Sequence, residues 1–129
     1  MILSVLLVGC GNTSNQQEAV PDLEGTYQIT QVGDSRISDP ELTMNFDGEE
    51  ERMSGYAGCN NFSASFQQNE SSVGFTRPIS TKMYCEGKME IEDQLFSLLD
   101  SISSVRMSNG QVELYSANNK TLITLRKQE

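Results

Sequence analysis

The chain has 129 residues, 36% of them hydrophobic, with 18 acidic against 9 basic side chains, a formal charge of −9, and neither histidine nor tryptophan. An acidic surface with no basic stripe repels phosphate backbones, which excludes nucleic acid as a partner. The missing imidazole removes a Ser-His-Asp triad and the commonest zinc ligand.

In chain order, Met1 to Gly9 reads as the remnant of a lipoprotein signal. Ile2 to Val8 is an apolar run far too short to span a bilayer. Leu7-Val8-Gly9-Cys10 resembles the bacterial lipobox, in which the cysteine sulfur receives diacylglycerol and the peptide is cut before it. The positively charged leader that usually precedes such a run is missing, which reads as a start codon placed a few residues late. Cys10 is therefore the expected lipid-attachment residue, and the small polar residues from Gly11 to about Asp22 form a flexible tether. That leaves 23–127, enough for one domain and not two.

From Leu23 onward the dominant period is two. Leu42, Met44 and Phe46 alternate with polar residues, as do Phe62, Ala64 and Phe66. Val73 and Phe75, Val105 and Met107, Val112 and Leu114, and Ile123 and Leu125 repeat the pattern. Alternation of this kind predicts strands with one wet and one buried face, hence antiparallel sheet. Turn signals separate them at Asp47-Gly48, Asn109-Gly110 and Asn118-Asn119, with Asn109-Gly110 the strongest hairpin signal. One segment departs from this. Ile91, Leu95, Leu98 and Ile102 recur at helical spacing behind Glu90, Glu92 and Asp93, whose charges suit a helix N-terminus and predict a helix from about Lys88 to Ser103. The expected architecture is mostly β: a small curved antiparallel sheet or open barrel of about eight strands with one packed helix.

With Cys10 assigned to lipid, Cys59 and Cys85 remain. In an oxidising compartment a disulfide between them is the favoured state, stabilising the fold by roughly 3–4 kcal/mol. Two separately buried thiols are the alternative, and the two-residue spacing of a redox pair is missing. Asn60 and Asn61 either cap a local turn or present polar groups to a groove. Met83 and Tyr84 carry the same ambiguity between packing and soft ligand contact. A Ser80–Lys82 dyad has nothing to depress the lysine. The acidic cluster of Asp47, Glu49, Glu50 and Glu51 offers hard oxygens but lacks the spacing of a calcium loop.

Several blocks then carry a family resemblance. Leu23-Glu24-Gly25-Thr26-Tyr27, Gly58-Cys59-Asn60-Asn61-Phe62, Thr81-Lys82-Met83-Tyr84-Cys85, and Met89-Glu90 opening a helix resemble the META domain (HslJ-like) family from about Leu23 to Arg126. Tyr27 stands where that family often has Trp, and Ala64 and Phe66 where it often has Gly and Tyr. The resemblance implies a small bacterial envelope protein, frequently a lipoprotein, tied to heat-shock or antibiotic-stress responses. It also implies a fold similar to small barrels that act as secretin pilots, with no enzymatic activity and no cofactor.

The expectation is thus a monomeric, non-enzymatic protein held to the bilayer through acylated Cys10, facing the periplasm or lying at the outer membrane. It would bind an envelope protein partner or an apolar ligand in a stress or assembly role. Asn60, Asn61, Phe62, Thr81 and Met83 are the candidate binding residues, with no catalytic or metal-binding set. A lipocalin-like carrier of small molecules is the second reading and a carboxylate-based hydrolase the third. A cavity of several hundred cubic ångströms in the structure would favour the first of these.

Overall fold

The computed structural model describes Gly9 and residues 20–128. Cys10 lies outside the described residues, and with it the expected acylation, as do nearly all of the leader and the tether. Among the described residues no helix is long and apolar enough to cross a membrane.

Among the described residues, ten strands and one helix follow each other in the order β1 (Gly25–Val32), β2 (Ser35–Arg36), β3 (Thr43–Asp47), β4 (Arg52–Tyr56), β5 (Asn61–Asn69), β6 (Ser72–Phe75), β7 (Ile79–Ser80), α1 (Met89–Leu99), β8 (Ile102–Ser108), β9 (Gln111–Ser116) and β10 (Thr121–Lys127). Eight of the strands close into an antiparallel barrel in the order β1-β3-β4-β5-β6-β8-β9-β10, and β10 returns to β1 with Tyr27 opposite Lys127 and Val32 opposite Ile123. The expected curved antiparallel barrel of about eight strands with one packed helix is therefore present, and its sheet is closed. The two short strands lengthen barrel strands. β2 continues the side of β1 that β3 occupies, and β7 continues the side of β5 that β6 occupies.

The alternation seen in sequence points inward. Met44 and Phe46, Phe62, Ala64 and Phe66, Val105, Val112 and Leu114, and Ile123 and Leu125 are all buried. Edge-to-face aromatic contacts thread the interior, from Tyr27 to Phe46 at 5.6 Å and from Phe46 to Phe66 at 5.2 Å. With Ile29, Met53, Val105 and Leu114 also fully covered, side chains fill the barrel, as an eight-stranded barrel of this kind allows. There is no calyx among the described residues, which counts against a lipocalin-like carrier. At Asn109-Gly110 both φ angles are positive, 53° and 77°, as a type I′ hairpin requires.

The helix ends at Leu99, four residues before its expected limit. Ser101 N–H bonds back to Leu98 C=O and Ile102 opens β8. A core-facing strand residue happens to fall four positions after Leu98, so helical spacing ran on through a strand start. Leu95 and Leu99 are fully buried, while Phe96 meets Phe62 edge-to-face with ring centroids 5.2 Å apart. The helix thus closes the barrel end at which β1 and β4 finish and β5 begins.

Candidate functional site

The two cysteine-bearing blocks meet at this closed end. Cys59 and Cys85 form a disulfide across 26 residues of sequence, with Cα atoms 5.8 Å apart. Gly58, at φ +100°, turns the chain between β4 and β5 in a conformation that side chains resist, and Tyr56 Oη–H donates to its carbonyl at 3.0 Å.

Asn60, 1% exposed, is the centre of the arrangement. Its backbone N–H donates to Glu92 Oε1 at 2.8 Å and its Nδ2 to Glu92 Oε2 at 2.7 Å. The second Nδ2 proton reaches Met83 C=O at 3.0 Å. Its Oδ1 accepts from Thr81 Oγ1–H at 2.7 Å and from Met83 N–H at 2.8 Å. The Asn60 carbonyl accepts Ala57 N–H at 3.0 Å. Every donor and acceptor of the residue is thereby matched, as burial demands. One side chain ties the β4–β5 turn, the irregular 81–85 segment and the first turn of α1 together.

The five candidate binding residues separate. Asn60 is buried, and Phe62 is buried against Phe96. Asn61 is exposed, and its carbonyl accepts Thr81 N–H at 3.1 Å. The backbone of Met83 is held by Asn60, while its side chain is 55% exposed. Thr81 is exposed, with its hydroxyl turned to Asn60.

Reading the sequence missed Glu92. It is 2% exposed and binds Asn60, rather than standing in solvent as one charge among three at the helix start. The signal was present: Glu92, Leu95 and Leu99 follow one helical face. The other chemical candidates are tied up locally or stand apart. Asp47 Oδ1 accepts the Glu49 and Glu50 amides at 3.1 Å each, which caps the β3–β4 turn. No cluster of three or more carboxylates or cysteines suited to a metal ion occurs among the described residues. Ser80 is half-buried and Lys82 exposed.

Beside the disulfide the surface changes character. Ile79, Met83 and Tyr84 are 76%, 55% and 79% exposed, three large apolar side chains within six residues. Elsewhere a groove of about 920 Å³ runs along β5 and β6 to Ser103 of β8, with outward positions such as Ser65, Gln67 and Gly74 in its lining. Its lining also includes Leu23, Phe66 and Val73, which are buried.

The sequence model of the META domain family matches residues 21–129. None of the curated proteins searched matches the chain. Among solved structures, the chain is similar to a protein from Burkholderia xenovorans determined by NMR, with TM-score 0.63, 21% identity, and coverage of 83% of this chain and 85% of that one. A DUF4847 family protein from Bacteroides vulgatus is similar at TM-score 0.59 and 13% identity, over 83% of this chain and 96% of that one. At these identities the structural likeness speaks to the fold, and the family model speaks to descent. The chain belongs to the META domain family.

Proposed function

We propose that this protein is a non-enzymatic, lipid-anchored component of the bacterial envelope that binds a protein partner through its 79–84 face. The observation that carries the reading is the exposure of Ile79, Met83 and Tyr84 on a segment held rigid from behind. Exposed apolar residues scattered singly need no explanation, but a group of them on an ordered surface marks an interaction site. Here the segment is fixed by the Cys59–Cys85 bridge and by the bonds of Asn60 to Met83, so a partner would meet a surface already ordered. A binding role rather than a catalytic one is supported by the bonding of Asn60, Thr81 and Glu92, whose polar atoms are joined to one another inside the fold. The anchor rests on Leu7-Val8-Gly9-Cys10, and the tether to about Asp22 would let the domain reach outward from the bilayer.

Photo-crosslinking in cells tests both parts. A crosslinking residue at Tyr84 should trap a discrete partner that the same residue at Asn118 does not, and Ile79→Ser should weaken it. Replacing Cys10 by Ala should collapse the crosslink. Equal trapping at Tyr84 and Asn118 would remove the binding face, and crosslinks indifferent to Cys10→Ala would remove the anchor from the role.

A further inference from the structure

Five of the six methionines fall among the described residues, and the fold treats them unequally. Met44 and Met53 are fully buried in the barrel. Met89 and Met107 are half-buried. The Met89 sulfur accepts the Cys85 N–H at 3.5 Å, and Met107 pairs with Val112 across β8 and β9. Met83 alone of the five is exposed.

That exposure is combined with a fixed backbone. The N–H of Met83 donates to the Asn60 side chain at 2.8 Å and its C=O accepts from it at 3.0 Å. The fold therefore holds the main chain and leaves the thioether outside, so chemistry at the sulfur spares the bonds that shape the segment. Cys59 and Cys85 are already joined, so neither offers a thiol that would compete for an oxidant. The thioether of Met83 is left as the soft nucleophile of this face, in one apolar group with Ile79 and Tyr84.

We propose that Met83 is a reversible oxidation site for hydrogen peroxide, and that its sulfoxide switches off the 79–84 face. The inference rests on the partner-binding reading above and adds a regulation to that same surface. The sulfur lone pair attacks one peroxide oxygen and the O–O bond breaks. The proton on the attacked oxygen passes to the departing hydroxide, which leaves as water. Sulfur loses two electrons and the peroxide gains them. The product carries a strongly polar S–O group on a side chain that was apolar, where a partner would have to strip its hydration. A sulfoxide on Met44 or Met53 would instead disrupt the core, so their burial protects the fold and confines the response to the surface.

Peptide mapping of the full chain carrying Cys10→Ser tests the site. Trypsin places Met44, Met53, Met83, Met89 and Met107 on separate peptides, because Arg52, Lys82, Lys88 and Arg106 divide them. In dilute peroxide the folded protein should add oxygen to the Met83 peptide about tenfold faster than to those of Met44 and Met53. In urea the rates should converge. The thermal midpoint of protein oxidised at Met83 alone should match that of untreated protein. Reductases specific for the two sulfoxide epimers should remove the added oxygen. For the switch, peroxide should lower trapping by a crosslinking residue at Tyr84 about tenfold, and Met83→Leu should abolish that sensitivity whatever its own level of trapping. Equal oxidation rates for Met83 and Met44 in the folded protein, or a midpoint lowered by oxidation at Met83 alone, would overturn the proposal. Trapping at Tyr84 that peroxide leaves unchanged would sink the switch while the partner reading stands. If Tyr84 traps nothing with or without peroxide, the partner reading falls and takes the switch with it.

Discussion

Asn60 shows how one buried amide can decide the geometry of three segments. Replacing it by Ala would strand Oε2 of Glu92 in a dry site, Oε1 keeping the backbone N–H of position 60, and would release the carbonyl and amide of Met83. The expected loss is roughly 3 kcal/mol or more in urea unfolding, because uncompensated buried polar groups incur their full desolvation penalty. Glu92→Gln is gentler yet not neutral. Both carboxylate oxygens accept from Asn60, so an amide nitrogen placed at either position meets a donor. About 1–3 kcal/mol is expected by the same measurement. Tyr115 offers a test by pH. Its hydroxyl donates to the Glu113 carboxylate, and that bond first, then burial, raises its pKa above the ordinary 10.0. A phenol held in its neutral form contributes this stability below pH 10 and loses it as pH rises through the folded-state value. Ultraviolet titration of the four tyrosines should therefore show a late-ionising one, which Glu113→Gln brings down.

Among the elements, strands were the readable part. Period-two alternation marked β3, β5, β6, β8 and β9, because each has one face in the core and so carries its burial in its own sequence, and it marked β10 through Ile123 and Leu125 although Leu122 and Thr124 are buried there too. Asn109-Gly110 was equally legible, since positive φ at two successive positions restricts the residue choice. The short strands β2 and β7 were not visible, for two residues cannot display a period. Nor could the helix limit be placed, because Ile102 serves a strand at helical distance from Leu98. The residue web around Asn60 was hidden for a different reason. Its partners lie 21 to 32 positions away, and neither spacing nor composition encodes a contact that the closed barrel creates. β4 also hides a constraint at Gly55. A Cβ there would lie 2.3 Å from Thr43 C=O and 2.7 Å from the Phe62 ring, so the strand tolerates no side chain. Gly55→Ala should cost about 1–3 kcal/mol through overpacking, read from the shift in the urea midpoint.

At the scale of the molecule, the disulfide joins the β4–β5 turn to the segment leading into the helix, so it closes a loop of 26 residues. The double variant Cys59→Ser, Cys85→Ser should lower unfolding free energy by about 3–4 kcal/mol, and reduction of the wild-type protein should reproduce that loss. The cysteine pairing was legible because one of three sulfurs had a separate assignment; closure of the sheet was not, since curvature and register emerge only when all strands are present. The pairing of Tyr27 with Lys127 and Val32 with Ile123 has its own consequence. The first and last barrel strands are neighbours, so a polypeptide still being made or threaded through a pore cannot complete the ring before β10 has emerged. Any product cut short before β10 remains an unclosed ribbon open to proteolysis.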